Sequence, residues 1–225
     1  MNKPDINKLL STKIKKSKLF IDSLTHRSAG NKNNERLEFF GDAILGFFIS
    51  ELLYTKFSND DEGLLSRKRS YLVRKETLSK IAVYYNIGSQ IILGEGERKS
   101  GGQSRESIIS DALEALIAVV YIEDGADVTR EFIYNIFHNF IDSLPEDEEL
   151  KDSKTKLQEL LQSNNSCLPE YDTIEIYKNN KTVFQTVCKI DIYNIIEYGE
   201  GNNKRNAQQD AASKALEKIK KKCEK

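Results

Sequence analysis

The spacing of apolar residues changes along this chain, and that change limits what it can fold into. Before residue 145 apolar side chains recur at three- and four-residue intervals: Leu37, Phe40, Ile44 and Phe48 in one stretch, Leu113, Leu116, Ile117 and Val120 in another. Such spacing lines one face of an α-helix. Beyond residue 152 segments of period two appear, in Thr173-Ile174-Glu175-Ile176-Tyr177 and again from Val183 to Ile190. That alternation belongs to strands with one buried face. Between the two regimes the run from Asp142 to Asp152 is charged, carries Pro145 and has little to bury, so 145–152 reads as a linker. The expected architecture is an all-α domain over 1–144 followed by a small α+β domain over 153–222. In the second domain a helix from about Ser153 to Gln162, three strands and a last helix from Lys204 to Lys221 give the order α-β-β-β-α. One sheet backed by two helices satisfies that order.

Composition removes several classes. With 225 residues the chain can bury two cores, and 39% hydrophobic with 31% charged residues argues against disorder. The longest apolar run, Ala115 to Ile122, is eight residues, too short to cross a membrane. Met1 to Asp5 lacks the basic-then-apolar pattern of a secretory signal. Cys167, Cys188 and Cys223 lie far apart with no CxxC pair, which supports neither a disulfide framework nor a zinc site. A reducing cytoplasm is the expected compartment, with no membrane partner. Gly94-Glu95-Gly96 resembles a fragment of a phosphate-binding loop, but no GK[ST] follows, so no nucleotide cofactor is expected. The net charge of −1 conceals an asymmetry: residues 151–225 carry +3 and residues 1–150 carry −4. The acidic excess is informative only where it can be placed on a surface.

Part of it can be placed. At about 100° per residue, Glu35, Glu38 and Asp42 fall within about 60° of one another on a helix, opposite Leu37, Phe40, Ile44 and Phe48. A second helix, Ser107 to Ile122, sets Asp111 and Glu114 three apart, with Ala115 and Ala118 beside them and Ile109, Leu113, Leu116 and Val120 opposite. Either row can be the solvated face of an ordinary amphipathic helix. Against that reading, like charges at these spacings repel and no Lys or Arg is interleaved on the same arc. The small Ala115 and Ala118 would admit a neighbouring helix. If the two acidic sides converge, four carboxylates form an all-oxygen cage suited to Mg²⁺. A lone His is more often a packing residue than a base, which is the expectation for His26, and His138 has no supporting neighbours.

The run Asn34-Glu35-Arg36-Leu37-Glu38-Phe39-Phe40-Gly41-Asp42-Ala43-Ile44-Leu45 resembles the signature of the bacterial ribonuclease III family. It is preceded by Leu24-Thr25-His26-Arg27-Ser28. It is followed by Glu62-Gly63, Ser66-Arg67, Leu72-Val73-Arg74, Lys99-Ser100-Gly101-Gly102, Glu106-Ser107-Ile108 and Asp111-Ala112-Leu113-Glu114-Ala115-Leu116. Lys154 to Gln162 and Gly199 to Ala212 look like the two ends of a double-stranded-RNA-binding domain, so the resemblance spans nearly the whole chain. It implies an endonuclease that hydrolyses phosphodiester bonds in double-stranded RNA, leaving 5′-phosphates and 3′-hydroxyls. Glu38, Asp42, Asp111 and Glu114 would hold Mg²⁺, with Mn²⁺ as a substitute, and Asp42 and Glu114 would be the two least dispensable. Glu35 and Glu62 match secondary acids. The ion would acidify a water and neutralise the phosphoryl oxygens. Processing of ribosomal, messenger and transfer RNA precursors is implied, as is a homodimer. Phe39, Phe40 and Phe47-Phe48-Ile49 are apolar over more than one helix face and would supply its contact, unless another helix of the same subunit covers them.

In the C-terminal module Thr155, Gln158 and Gln162 share a helix face and would reach 2′-hydroxyls. Asn203 reads as an N-cap that sets Lys204 and Arg205 at a helix start facing phosphate. Lys181 would touch phosphate or a groove, although its loop, Lys178-Asn179-Asn180-Lys181, departs from the Gly, Pro and His usual there. Two rivals remain: an RNA-binding regulator without catalysis, which should show an altered acid, and a small-molecule phosphohydrolase, which would not need the second domain.

Overall fold

The computed structural model describes residues 4–178 and 181–223. The chain divides into two compact units, 1–144 and 145–225.

The first unit is helical: α1 (Thr12–Lys16), α2 (Lys18–Ser23), α3 (Glu35–Lys56), α4 (Glu62–Val73), α5 (Lys75–Tyr84), α6 (Glu95–Lys99) and α7 (Glu106–Asp142). Its axis is α7. From Ile108 to Val120 this helix is buried nearly all round, with only Asp111 and Glu114 reaching partway to solvent. A helix apolar on every side belongs in the middle of a core, and α3 and α5 pack along it. The helix expected to end at Ile122 resumes beyond a break at Gly125, whose φ of 83° only glycine adopts without strain. Beyond it the Thr129 hydroxyl donates to the Gly125 carbonyl at 2.7 Å.

The buried stripe of α3 runs Leu37, Gly41, Ile44, Leu45, Phe48, Ile49 and Leu53. Phe40, expected on that side, is 40% exposed and lies edge-on to Tyr121 at 5.7 Å. The stripe is rotated because Gly41, not Phe40, makes the closest approach to α7. Phe39, Phe47 and Tyr54 are also exposed, so the described helices of the first unit leave an aromatic face of α3 uncovered. Asp61 starts α4 by accepting from the Leu64 amide at 2.7 Å.

The second unit opens with a short turn, α8 (Asp147–Leu150), within the stretch read as a linker. Lys151 then pairs with Glu159 at 2.6 Å. There follow α9 (Ser153–Ser163), β1 (Glu170–Lys178), β2 (Lys181–Ile190), β3 (Ile195–Gly201) and α10 (Lys204–Cys223). The sheet is antiparallel in the order β1-β2-β3. This is the α-β-β-β-α arrangement the alternation implies. Leu157 and Leu161 of α9 meet Cys188, Ile190 and Ile195 of the sheet and Ala211, Ala212, Ala215 and Ile219 of α10 in one core. Cys167 and Cys188 are free thiols. Among the described residues no helix is long and apolar enough to cross a membrane.

Candidate active site

A glycine brings the acids together. A Cβ built on Gly41 would lie 1.9 Å from the Glu114 carbonyl oxygen, so the backbones of α3 and α7 touch there. One turn before the contact stands Glu38. On the facing helix stand Asp111 and Glu114, and carboxylate oxygens of all three lie within 4.8 Å of one another. Ala115 and Ala118, expected to admit the neighbour, are fully buried beside them, but the closest approach is at Gly41.

Asp42 is exposed and falls outside that trio. Its charge nevertheless acts on Glu114, whose pKa is pushed up to about 8 by burial first and then by Asp42, Asp111 and Glu38. Glu38 is likewise raised, by burial and then by Asp111, with Glu35 and Asp42 adding to it. Lys75, 3.5 Å from Asp111, pulls both glutamates back down. The set fits a hard divalent cation on chemistry alone: its donors are all carboxylate oxygens, they converge, and they repel one another.

The secondary acids sit apart. Glu35 is exposed and pairs with Arg27 at 3.6 Å. It lines, with Glu38, Asp111, Lys75 and Arg105, a cavity of about 500 Å³ at the mouth of the cluster. Glu62, in the first turn of α4, accepts from the Ser66 hydroxyl at 3.0 Å. It lines a different groove with Phe47, Ser50, Asp60, Leu65 and Arg69. Within the first unit the fold does not bring Glu62 to the trio. His26 is held in a turn, its Nδ1 paired with Ser28 Oγ at 2.8 Å, and that hydroxyl accepts from the Gly94 amide at 3.0 Å. The Gly94 segment is therefore tied to the 26–28 turn. His138 pairs with the Asn135 carbonyl at 2.8 Å on α7.

In the second unit Asp152 caps α9 through the Thr155 amide at 2.9 Å. Gln158 and Gln162 are exposed on α9, and Thr155 is partly so. Asn203 caps α10, its Oδ1 accepting from the Asn206 amide at 2.8 Å, and leaves Lys204 and Arg205 exposed on the first turn. Lys154 joins the two helix starts. Its ammonium donates to Gln208 at 2.6 Å over the Tyr171 ring, and its amide donates to Gln209 at 3.1 Å. Lys181 begins β2 opposite Lys178, and Asn179 and Asn180 lie outside the described residues.

Sequence reasoning passed over Gly41, Lys75 and Lys154. A glycine inside a helical pattern costs about 1 kcal/mol and so signals a close approach. That clue was present in the signature run. Nothing in the spacing points to Lys75.

A helical domain with an acidic cluster, joined to an α-β-β-β-α module with a basic helix start, defines a class of double-stranded-RNA endonuclease. Residues 16–140 match the family described as Ribonuclease-III-like, and residues 153–219 match the double-stranded RNA binding motif. "Ribonuclease 3" of Histophilus somni (strain 2336) is 45% identical over 199 residues, covering 88% of this chain and 89% of that protein. "Ribonuclease 3" of Actinobacillus pleuropneumoniae serotype 5b (strain L20) is 42% identical over 216 residues, covering 95% and 96%. Among solved structures, the nuclease domain of ribonuclease III from Campylobacter jejuni matches with a TM-score of 0.57 at 37% identity, covering 61% of this chain and 97% of that one. The chain belongs to the ribonuclease III family.

Proposed function

We propose that this chain cuts double-stranded RNA by Mg²⁺-dependent hydrolysis, leaving 5′-phosphate and 3′-hydroxyl ends. The observation that carries this reading is the convergence of Glu38, Asp111 and Glu114 within 4.8 Å, with Asp42 acting electrostatically on the same spot. Those four acids would hold the ion, with Mn²⁺ as a substitute. When bound, it supplies acidification of water and neutralisation of charge on the phosphoryl group. The protein's part is to hold the four carboxylates against their own repulsion and to orient the duplex. Glu35, at the cavity mouth, and Glu62 serve RNA positioning. In the second domain Thr155, Gln158 and Gln162 reach 2′-hydroxyls across a minor groove, and Lys204, Arg205 and Lys181 meet phosphates. Domain limits of 1–144 and 153–222, joined by 145–152, fit this division of labour.

A duplex has two strands and each chain one acidic cluster, so we infer a two-fold homodimer. The exposed Phe39, Phe40, Phe47 and Tyr54 of α3 offer an apolar contact for it. The solved C. jejuni nuclease domain is itself described as having a region involved in dimer formation. Cytoplasmic maturation of ribosomal, messenger and transfer RNA precursors is the matching role. One gel tests the core of this reading: a long RNA duplex incubated with the protein and Mg²⁺, and again with EDTA. Cutting with Mg²⁺ alone supports it. Binding without cutting in both lanes would identify a non-catalytic binder instead, and no interaction with duplex would remove the RNA reading.

A further inference from the structure

Three cations line the cavity at the mouth of the acidic cluster: Arg27, Lys75 and Arg105. Arg27 is engaged by Glu35 at 3.6 Å and Arg105 by Glu97 at 2.7 Å, both outside the converging trio. Lys75 alone of the three pairs with a member of the trio, its Nζ 3.5 Å from Asp111 Oδ1. The side chain is 63% exposed while its partner carboxylate is 23% exposed, so the ammonium comes in from solvent to an inward carboxylate. An ammonium has three N–H donors, and among the described residues only one has a protein partner.

The backbone beneath it is fixed. Lys75 is the first residue of α5, directly after the turn from α4. The buried Thr77 holds that turn by donating to the Tyr71 carbonyl at 2.6 Å, and Arg74 lies over the Tyr71 ring at 4.1 Å. A rigid base carries a flexible four-carbon stem, so the charge can move while its anchor stays.

On the reading that the acids hold a divalent ion, we propose that Lys75 is a placeholder cation. It neutralises Asp111 in the metal-free site, is displaced when an ion takes that carboxylate, and then meets a phosphate oxygen of the strand to be cut. The logic is Coulombic. A divalent ion on Asp111 puts like charge within a few ångströms of the ammonium and repels it. An RNA phosphate arriving in the same cavity attracts it. Before metal binds, Lys75 offsets repulsion within the cluster, with no other cation among the described residues paired to the trio, consistent with its downward pull on Glu38 and Glu114. Metal affinity is thus held lower than four bare carboxylates would give, and RNA binding relieves the competition.

The test uses the full chain and reads metal binding without catalysis. Mn²⁺ is titrated into RNA-free protein and free ion is counted by electron paramagnetic resonance, for wild type, Lys75→Gln and Lys75→Arg. Removing one partly screened charge should tighten Mn²⁺ binding by roughly three- to tenfold in Lys75→Gln, and Lys75→Arg should match wild type. Unchanged or weaker binding in Lys75→Gln overturns the placeholder role. At saturating Mn²⁺, Lys75→Gln should raise KM for duplex several-fold and lower the slope of log KM against log salt by about one. An unchanged slope overturns the phosphate contact. Wild type that takes up no Mn²⁺ would refute the metal reading itself, whereas equal affinities in wild type and Lys75→Gln refute only the role of Lys75.

Discussion

Gly41 carries no chemistry, yet its replacement by Ala should disable the enzyme. The added Cβ would sit 1.9 Å from the Glu114 carbonyl oxygen. A carbon–oxygen contact needs roughly 3.3 Å, so α3 must back away from α7 by more than about 1 Å. The obstacle is backbone on a helix buried on every side, and it cannot yield as a side-chain tip would. Overpacking of this kind costs about 1–3 kcal/mol, which lowers Tm by roughly 3–10 °C in a domain of this size. The greater damage is geometric. Glu38 rides on α3 and Asp111 and Glu114 on α7, so the displacement opens the 4.8 Å cluster along its seam. Misplacement by about 1 Å can cost on the order of 10²-fold in rate. Gly46 of the same helix is the control, because a Cβ there meets nothing within 4 Å. Gly46→Ala should gain about 1 kcal/mol in helix propensity and cut normally. The assay pairs calorimetric melting with initial cleavage rates on a long duplex, with duplex binding as the check that each variant is folded. If Gly41→Ala melts and cuts like wild type, or the two variants behave alike, the close approach does not assemble the site.

Glu114→Gln should abolish cleavage and leave duplex binding nearly intact; measurable cutting at ordinary Mg²⁺ concentrations would remove Glu114 from the ion's shell. The same variant should melt higher than wild type in EDTA. The folded pKa of about 8 lies above the ordinary 4.5, so wild-type stability falls as pH rises between those values. Allowing for solvent screening, relief of about 1–3 kcal/mol is expected near pH 8 and none below about pH 4.5; parallel pH–Tm curves would contradict this. Lys204→Ala with Arg205→Ala should weaken binding about equally on duplexes of different sequence and reduce its salt dependence. Unchanged affinity and slope, by filter binding over a salt series, would mean that the start of α10 faces away from RNA.

Much of this was legible because it depends on period and spacing. The alternation from Thr173 onward announces the sheet of the second unit, and the acid rows follow from helix geometry around Glu38 and Asp111. What escaped depends on how helices rotate against each other. Phe40 reads as core on a helical projection, but the stripe is set by Gly41, where α3 touches α7. The length of α7 was missed because an exposed run around Gly125 looks like a terminus. The positive φ of Gly125 instead only interrupts the helix, which resumes beyond it. Lys75 stayed hidden because it reaches Asp111 across a turn fixed by Thr77 and Tyr71, a contact with no fixed sequence spacing.

The central claim is that the acidic cluster on each chain cuts one strand of a duplex. Mixed dimers of one intact and one Glu114→Gln subunit, purified through different affinity tags, test it on a duplex carrying a distinct label on each strand. The account predicts that a single binding event nicks one strand and leaves the other whole. Double-strand cuts at the wild-type rate, or no cutting at all, would contradict it.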